Sequence, residues 1–250
     1  MTRPHELNTS EEAGVRFLHF GSEWVQGAMR IARPYALELI YTREMMACLL
    51  FREPPWPKRV LQIGLGAGSL TKFWWRHFPL TTQKIIEINE SVIHMANQAF
   101  KLPAQDGRIE IVIGDGVTWI KDAREKFDCI MVDGYDEHAR FGALGTEDFY
   151  IDCRERLARD GILVLNLFGR SRGYQKQLDA LISAFGGKPE RVLALPPVEG
   201  DGGGNAIVLA ATRALEGDSE AMRKAAAWLH TQTGLNLKAT VTRIESVRGG

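Results

Sequence analysis

Residues 59–68 read Arg-Val-Leu-Gln-Ile-Gly-Leu-Gly-Ala-Gly, and this stretch decides the fold. The first five residues are a short, mostly apolar run, and glycines follow at every second position. Such a run predicts a buried β-strand that enters a tight turn, because glycine adopts backbone conformations that other residues avoid. Residues 70–77 favour a helix directly after the turn. At a strand-to-helix turn of this kind, the backbone passes close to a ligand and the helix N-terminus faces it.

The alternation of strands and helices continues towards the C-terminus. Further strands are predicted at 84–88, 109–113, 128–132, 161–166, 191–195 and 205–211, and helices at 91–100, 117–123, 147–157, 174–185 and 219–232. This alternation predicts an α/β fold with a mostly parallel seven-stranded sheet and helices on both faces. A Pro- and Gly-rich loop without a helix joins the last two strands, so we expect them to be antiparallel neighbours.

The first 57 residues differ from this pattern. Residues 16–20 and 22–29 predict one or two short strands with a turn. Residues 36–51 predict a helix, since Pro34 stands before a run of good helix formers and three prolines after the run would end it. The sequence therefore predicts a small N-terminal β/α extension, residues 1–57, and a larger Rossmann-like domain, residues 58–250.

Composition and charge exclude several classes of protein. The chain has 250 residues, 45% of them hydrophobic, which is ordinary for a globular protein and excludes a wholly disordered one. Equal numbers of acidic and basic residues, 31 of each, argue against a nucleic-acid-binding protein that neutralises many phosphates. No apolar run is long enough for a signal peptide or a membrane span, and the three cysteines lack metal-ligand spacing. We expect a cytoplasmic protein without a metal site.

Polar residues follow the first three strands of the predicted sheet, where ligands of open α/β sheets bind. The loop of Gly64, Gly66 and Gly68 has the spacing G-x-G-x-G, which differs from the dinucleotide motif G-x-G-x-x-G. Glu87 lies about 20 residues further on, where a carboxylate can bind ribose hydroxyls. Asp115 and Gly116 follow the third strand, and Asp115 either binds an adenine amino group or caps the next helix. Together these residues predict a nucleoside site.

A pair of carboxylates follows the fourth strand. Asp133 and Asp136 are three residues apart and are expected to face the same crevice as Glu87. An alkyl amine has a pKa of about 10, so it must lose a proton before it can attack as a nucleophile, and a carboxylate can take that proton. Tyr135 can pack against the methylene chain of a substrate. The alternative is a polar loop in which Asp133 caps the next segment.

The combination of these motifs resembles the spermidine synthase family, whose members are polyamine aminopropyltransferases with the class I S-adenosylmethionine methyltransferase fold. The resemblance covers roughly residues 15–210. It is carried by Gly64 to Gly68, Glu87-Ile88-Asn89, Gly114-Asp115-Gly116, Asp133 to Asp136, Thr146-Glu147-Asp148-Phe149-Tyr150 and Gly161-Ile162-Leu163-Val164, and upstream by Gln26 and residues 41–46.

The resemblance implies a role for each candidate residue. Glu87 would bind the ribose and Asp115 the adenine of decarboxylated S-adenosylmethionine, the co-substrate. Asp133 would accept the proton and Asp136 would help to hold a small cationic amine. Gln26 and Tyr41 would line the amine channel. The resemblance also implies a homodimer.

The chain departs from the family pattern at four positions. Family members usually carry an aspartate in the glycine loop, which holds the ammonium of the donor, and here the residue is Ala67. Thr42 and Arg43 replace a His-Glu pair that follows the channel tyrosine, and Glu137 replaces a proline. Two alternatives to aminopropyl transfer therefore stay open. The first is a methyltransferase that uses intact S-adenosylmethionine, although such enzymes commonly carry an acid at the position of Gln62. The second is a nucleoside-binding protein without turnover.

Overall fold

A computed structural model of the chain describes residues 7–20, 25–135, 141–197 and 204–249. Its strands are β1 (Leu7–Glu12), β2 (Val15–Phe20), β3 (Val25–Arg30), β4 (Arg59–Ile63), β5 (Thr82–Glu87), β6 (Ile109–Ile113), β7 (Phe127–Val132), β8 (Leu157–Phe168), β9 (Val192–Leu195) and β10 (Asn205–Ala211). Its α-helices are α1 (Ile40–Met45), α2 (Ser69–His77), α3 (Glu90–Ala99), α4 (Gly116–Asp122), α5 (Glu147–Arg156), α6 (Tyr174–Ala184), α7 (Ser219–Thr233) and α8 (Lys238–Gly249).

The predicted seven-stranded α/β sheet is confirmed. Its strand order is β6-β5-β4-β7-β8-β10-β9. The first five strands in this order pair in parallel, whereas β10 is antiparallel to both of its neighbours, as the helix-free connection predicted. The chain builds outward from β4 in one direction and then starts again on its other side with β7. This reversal opens a crevice at the carboxyl ends of the central strands, where ligands bind in open α/β sheets.

The central strands are apolar on both faces because helices cover both sides of the sheet. On one face, Trp74 of α2 and Ile244 of α8 pack with Met131 and Val164 of the sheet. On the other face, Phe149 of α5 and Phe185 after α6 pack with sheet residues such as Ile130 and Leu163. The residues named in these two clusters are almost fully buried. The strand ends that form the crevice are therefore held by a rigid core.

The N-terminal part forms a separate antiparallel sheet of β1, β2 and β3. The expectation of one or two strands was too low, because β1 is a polar, largely exposed strand whose residues carry no apolar alternation. Strand β3 lies over the glycine loop: the hydroxyl of Ser69 donates a hydrogen bond to the carbonyl of Ala28 at 3.2 Å. The division of the chain at residue 57 stays a prediction.

The helix predicted at 36–51 is wrong in its first four residues. The α-helix begins only at Ile40, and residues 46–51 continue as a 3-10 helix. The guanidinium of Arg43 donates to the carbonyls of Leu37 and Glu38, at 2.8 and 2.6 Å, so these carbonyls do not serve a longer helix. Sequence analysis also missed α8, whose ion pair between Arg243 and buried Glu44 ties it to α1. None of the described helices has both the length and the apolar character needed to cross a bilayer.

Substitution of two glycines tests how closely the ends of β4 and β7 approach each other. Both glycines have a left-handed backbone conformation. Gly64 has φ +90°, and a Cβ atom there would lie 2.2 Å from the carbonyl oxygen of Asp133. Gly107 has φ +83° and open space around it. Gly107→Ala should cost about 1 kcal/mol of unfolding free energy for the backbone alone. Gly64→Ala should cost about 3 kcal/mol or more, because a strand end must also move. Chemical denaturation measures both, and equal costs would contradict this packing.

Candidate functional site

Backbone hydrogen bonds continue past the strand ends and place the candidate residues side by side. The N–H of Gly64 donates to the carbonyl of Ile86 at 2.9 Å, and that of Asp133 donates to the carbonyl of Ile63 at 2.9 Å. On the outer side, the N–H of Gly114 donates to the carbonyl of Glu87 at 3.0 Å. The structure thus brings the glycine loop, Glu87 and Asp133 together along one edge of the sheet.

A buried polar network holds the glycine loop in place. Gln62 donates from Nε2 to the carbonyl of Gly64 at 2.6 Å and accepts from the hydroxyl of Thr71 at 2.9 Å. Both polar side chains are almost fully buried, so these hydrogen bonds satisfy them. The predicted loop glycines, Gly64, Gly66 and Gly68, all have positive φ values. The network explains why the neutral amide of Gln62 suits this position: a carboxylate could not donate to the Gly64 carbonyl.

Glu87 lies at the end of β5 and is almost fully buried. Its carboxylate accepts hydrogen bonds from the N–H of Leu65 at 2.8 Å and from the N–H of Asn89 at 2.9 Å. Burial raises the pKa of Glu87 above its ordinary value, and these backbone N–H groups oppose that rise. Glu87 therefore fixes the loop from the side, and its remaining lone pairs are available to hydroxyl groups of a ligand.

Asp115 caps α4, as one of the two sequence alternatives predicted. Its carboxylate accepts from the N–H of Val117 at 3.1 Å and from the hydroxyl of Thr118 at 2.9 Å. Gly116 is buried, and a Cβ atom there would lie 2.4 Å from Cγ2 of Ile63. Both residues thus have structural reasons for their identity. Contact of either with an adenine stays a prediction.

Asp133 is the centre of a small hydrogen-bonded cluster at the end of β7. It accepts from the hydroxyl of Tyr41 at 3.2 Å and from Nδ2 of Asn166 at 2.9 Å. Burial raises the pKa of Asp133, and these two hydrogen bonds oppose the rise. Burial together with the neighbouring Asp133 raises the pKa of Tyr41 well above its ordinary value, so Tyr41 stays a donor. A partly desolvated carboxylate with a raised pKa is suited to accept a proton.

The remaining predicted residues surround this cluster. The hydroxyl of Tyr135 donates to the carbonyl of Asn166 at 2.8 Å, and its ring lies 5.2 Å from that of Phe141. Gln26 is half-buried on β3, and its carbonyl lies 3.3 Å from where a Cβ atom of Gly66 would stand. Asp136 lies outside the described residues. The structure thus places Tyr41 and Tyr135 at Asp133 and Gln26 over the glycine loop.

Sequence analysis missed Asn166 and two exposed isoleucines at the carboxyl ends of β5 and β6. Asn166 interrupts an apolar run that continues to Phe168, and it matches no motif. Ile88 directly follows Glu87, and Ile113 stands two residues before Asp115; they are 70% and 56% exposed. Large apolar side chains at the end of a buried strand are a signal that could have been read, since an aromatic base needs such surfaces.

Ala67 is packed away from the crevice. It is 3% exposed and belongs to an apolar cluster with Leu18, Met29 and Phe100. A Cβ atom on Gly27 of β3 would lie 2.6 Å from the Cβ atom of Ala67, so the strand presses directly on this side chain. The N-terminal sheet therefore takes the space into which a longer residue at position 67 would extend. Thr42 and Arg43 also depart from the family pattern. Their side chains donate hydrogen bonds to backbone carbonyls of residues 37–39.

Within the described ranges, no three His, Cys, Asp or Glu side chains are grouped as metal ligands would be. The strand ends at the crevice carry two carboxylates that accept hydrogen bonds and two exposed isoleucines. This arrangement suits a nucleoside with a cationic partner.

Solved structures place the fold in a known class. A probable spermidine synthase from Corynebacterium glutamicum matches with a TM-score of 0.70 at 17% identity, covering 92% of this chain and 91% of that one. Human methyltransferase-like protein 13, solved with S-adenosylhomocysteine, matches with a TM-score of 0.62 at 22% identity, covering 84% and 92%. The fold is that of the Rossmann-like class I S-adenosylmethionine-dependent transferases, as predicted.

Sequence comparison defines the family within this class. The spermine/spermidine synthase domain matches residues 38–177. A polyamine aminopropyltransferase of Neisseria meningitidis serogroup A is 40% identical over 205 residues, which cover 82% of this chain and 75% of the relative. One of Chromobacterium violaceum is 37% identical over 241 residues, covering 96% and 89%. The chain belongs to the spermine/spermidine synthase family, which confirms the resemblance.

Substitution of Ala67 tests whether this position is closed to the site. Ala67→Asp should lower the free energy of unfolding by about 3 kcal/mol or more, because it adds bulk against β3 and buries an unpaired charge. Ala67→Asn should lower the free energy of unfolding less, because asparagine has nearly the size of aspartate but carries no charge. Thermal unfolding compares the two variants. An Ala67→Asp protein with wild-type stability and tighter binding of a cationic nucleoside would show that the side chain faces the crevice.

Proposed function

We propose that the protein transfers an aminopropyl group from decarboxylated S-adenosylmethionine to a small diamine or polyamine. Membership of the spermine/spermidine synthase family supports this reaction. The single structural observation that carries it is Asp133, a partly desolvated carboxylate beside the glycine loop with donors on both of its oxygens.

The nucleoside half of the donor would lie along the ends of β4, β5 and β6. Glu87 accepts hydrogen bonds from the ribose hydroxyls, and the backbone of the glycine loop allows close approach of the ligand. Ile88 and Ile113 offer apolar surfaces to the adenine, with Asp115 and Gly116 at its edge. These assignments position the sulfonium next to Asp133, because Gly64 and Asp133 are in backbone contact.

The acceptor amine would enter beside Gln26, Tyr41 and Tyr135, with Asp136 in support. Asp133 takes one proton from the bound ammonium, which leaves a lone pair on nitrogen. That nitrogen forms a bond to the aminopropyl carbon while the carbon–sulfur bond breaks and its electron pair goes to sulfur. The products are neutral methylthioadenosine, a protonated secondary amine and protonated Asp133, so atoms and charge balance. Positioning of the two substrates supplies most of the catalysis.

Among the residues that the structure describes, no feature favours methyl transfer. The likeness to human methyltransferase-like protein 13 is a likeness of fold, which does not determine function. Gln62, where methyltransferases commonly carry an acid, is engaged in holding Gly64. A nucleoside-binding protein without turnover would not need the two donors on Asp133. A cytoplasmic location, a homodimer and the absence of nucleic-acid and membrane partners stay predictions.

Identification of the nucleoside product tests the proposed reaction. The purified protein is incubated with decarboxylated or intact S-adenosylmethionine and a panel of amines, and the products are identified by mass spectrometry. We expect methylthioadenosine together with an aminopropylated amine. S-adenosylhomocysteine with a methylated product would contradict the proposal and support a methyltransferase. Nucleoside binding without either product would support a non-catalytic protein.

Asp133→Asn tests the proton acceptor. The amide keeps the size of the side chain but cannot accept a proton at neutral pH, so transfer should fall by about 100-fold or more. Binding of methylthioadenosine, measured by calorimetry, should stay close to the wild-type value. Asp160→Asn is the matched control, because Asp160 is exposed near the opposite end of β8. Transfer at the wild-type rate in Asp133→Asn would rule out the proposed role.

A further inference from the structure

Asn166 is a buried polar residue in contact with the proposed proton acceptor, and the reaction scheme above gives it no role. It lies on β8, next to β7 in the sheet, and is 3% exposed. Its Nδ2 donates to Oδ1 of Asp133 at 2.9 Å. Its own side-chain oxygen is buried and has no hydrogen-bond partner among the described residues. A buried oxygen without a partner is costly, so a residue of this kind needs an explanation.

The orientation of the amide follows from the network. An ionised carboxylate only accepts hydrogen bonds, so the NH₂ group of Asn166 must face Asp133 and the oxygen must face away. The backbone carbonyl of Asn166 accepts from the hydroxyl of Tyr135 at 2.8 Å, which fixes this part of the strand. The amide thus provides a donor for Asp133 and leaves its own oxygen buried without a partner among the described residues.

Three side chains of the described structure surround the Asp133 carboxylate, each from a different part of the chain. Tyr41 of α1 donates to Oδ2, Asn166 of β8 donates to Oδ1, and Tyr135 follows β7 in the same loop. The titratable groups among them are the two tyrosines. The pKa of each is raised by burial and by Asp133, so neither competes with Asp133 for a proton near neutral pH.

We propose that Asn166 is a positioning residue whose N–H donor holds the Asp133 carboxylate in place and favours its ionised form. This donor role explains why an amide with a buried, unpaired oxygen stands at this position. The inference rests on the proposed aminopropyl transfer, in which Asp133 accepts the proton.

The hydrogen bond from Asn166 stabilises the ionised carboxylate, so its loss should raise the pKa of Asp133 further. Asp133 must be ionised to take the proton, and activity is lost as the pH falls through its pKa. A higher pKa therefore moves the acid limb of the kcat/KM profile to higher pH. A charge-assisted hydrogen bond of ordinary strength corresponds to a shift of about one pH unit.

Two substitutions test this donor. Asn166→Leu removes the N–H group that faces Asp133, whereas Asn166→Asp replaces it with a second carboxylate. We expect the acid limb to move upward by about one pH unit in Asn166→Leu and further in Asn166→Asp, because a like charge disfavours ionisation of Asp133. The affinity for methylthioadenosine should be unchanged in Asn166→Leu. Asn97→Leu, at an exposed position on α3, is the control and should leave the profile unchanged.

A measurement without turnover separates this inference from the proposed function. The pKa of Asp133 is measured by NMR titration of carboxyl groups in the wild type, in Asn166→Leu and in Tyr41→Phe. We expect the Asp133 pKa to rise in both variants. If the wild type transfers no aminopropyl group but the pKa still rises, the proposed reaction fails while the contact stands. An unchanged Asp133 pKa in folded Asn166→Leu would overturn the inference.

Discussion

The site depends on the contact between the end of β4 and the end of β7. The N–H of Asp133 bonds to the carbonyl of Ile63, and Gly64 passes so close to the Asp133 carbonyl that a Cβ atom would lie 2.2 Å away. One strand end carries the loop proposed to bind a nucleoside, and the other carries the proposed base. Because both are anchored in a core covered by helices on two faces, their separation is fixed before any ligand binds.

Burial acts on the two carboxylates of the crevice in the same direction. It raises the pKa of Glu87 and of Asp133, and hydrogen bonds oppose the rise in each case. The donors differ in kind: Glu87 is held by backbone N–H groups, and Asp133 by side chains of Tyr41 and Asn166. Glu87 is thus part of the rigid loop, whereas the basicity of Asp133 depends on residues that substitution can change. This difference suits a ribose ligand at one carboxylate and a proton transfer at the other.

Much of the fold could be predicted from the strand-and-glycine stretch at 59–68 and from the alternation that follows it. Residues such as Glu87 and Asp133 could be found because they directly follow apolar runs. Asn166 could not, since its importance comes from the pairing of β8 with β7, which brings residues 33 positions apart into contact. The burial of Ala67 could not be predicted either, because it depends on the packing of β3 over the glycine loop. Residues 36–39 were wrongly predicted as helical. The hydrogen bonds that the Arg43 side chain donates to carbonyls of this segment cannot be recognised in the sequence.

A crystal structure with methylthioadenosine and a diamine would test the central claim most directly, through the distance from the nearer amine nitrogen to Asp133. The account predicts about 3 Å between that nitrogen and the carboxylate, with the ribose hydroxyls on Glu87. It also predicts that the same nitrogen faces the methylthio sulfur. A nucleoside bound away from the glycine loop, or an amine nitrogen out of hydrogen-bond reach of Asp133, would contradict it.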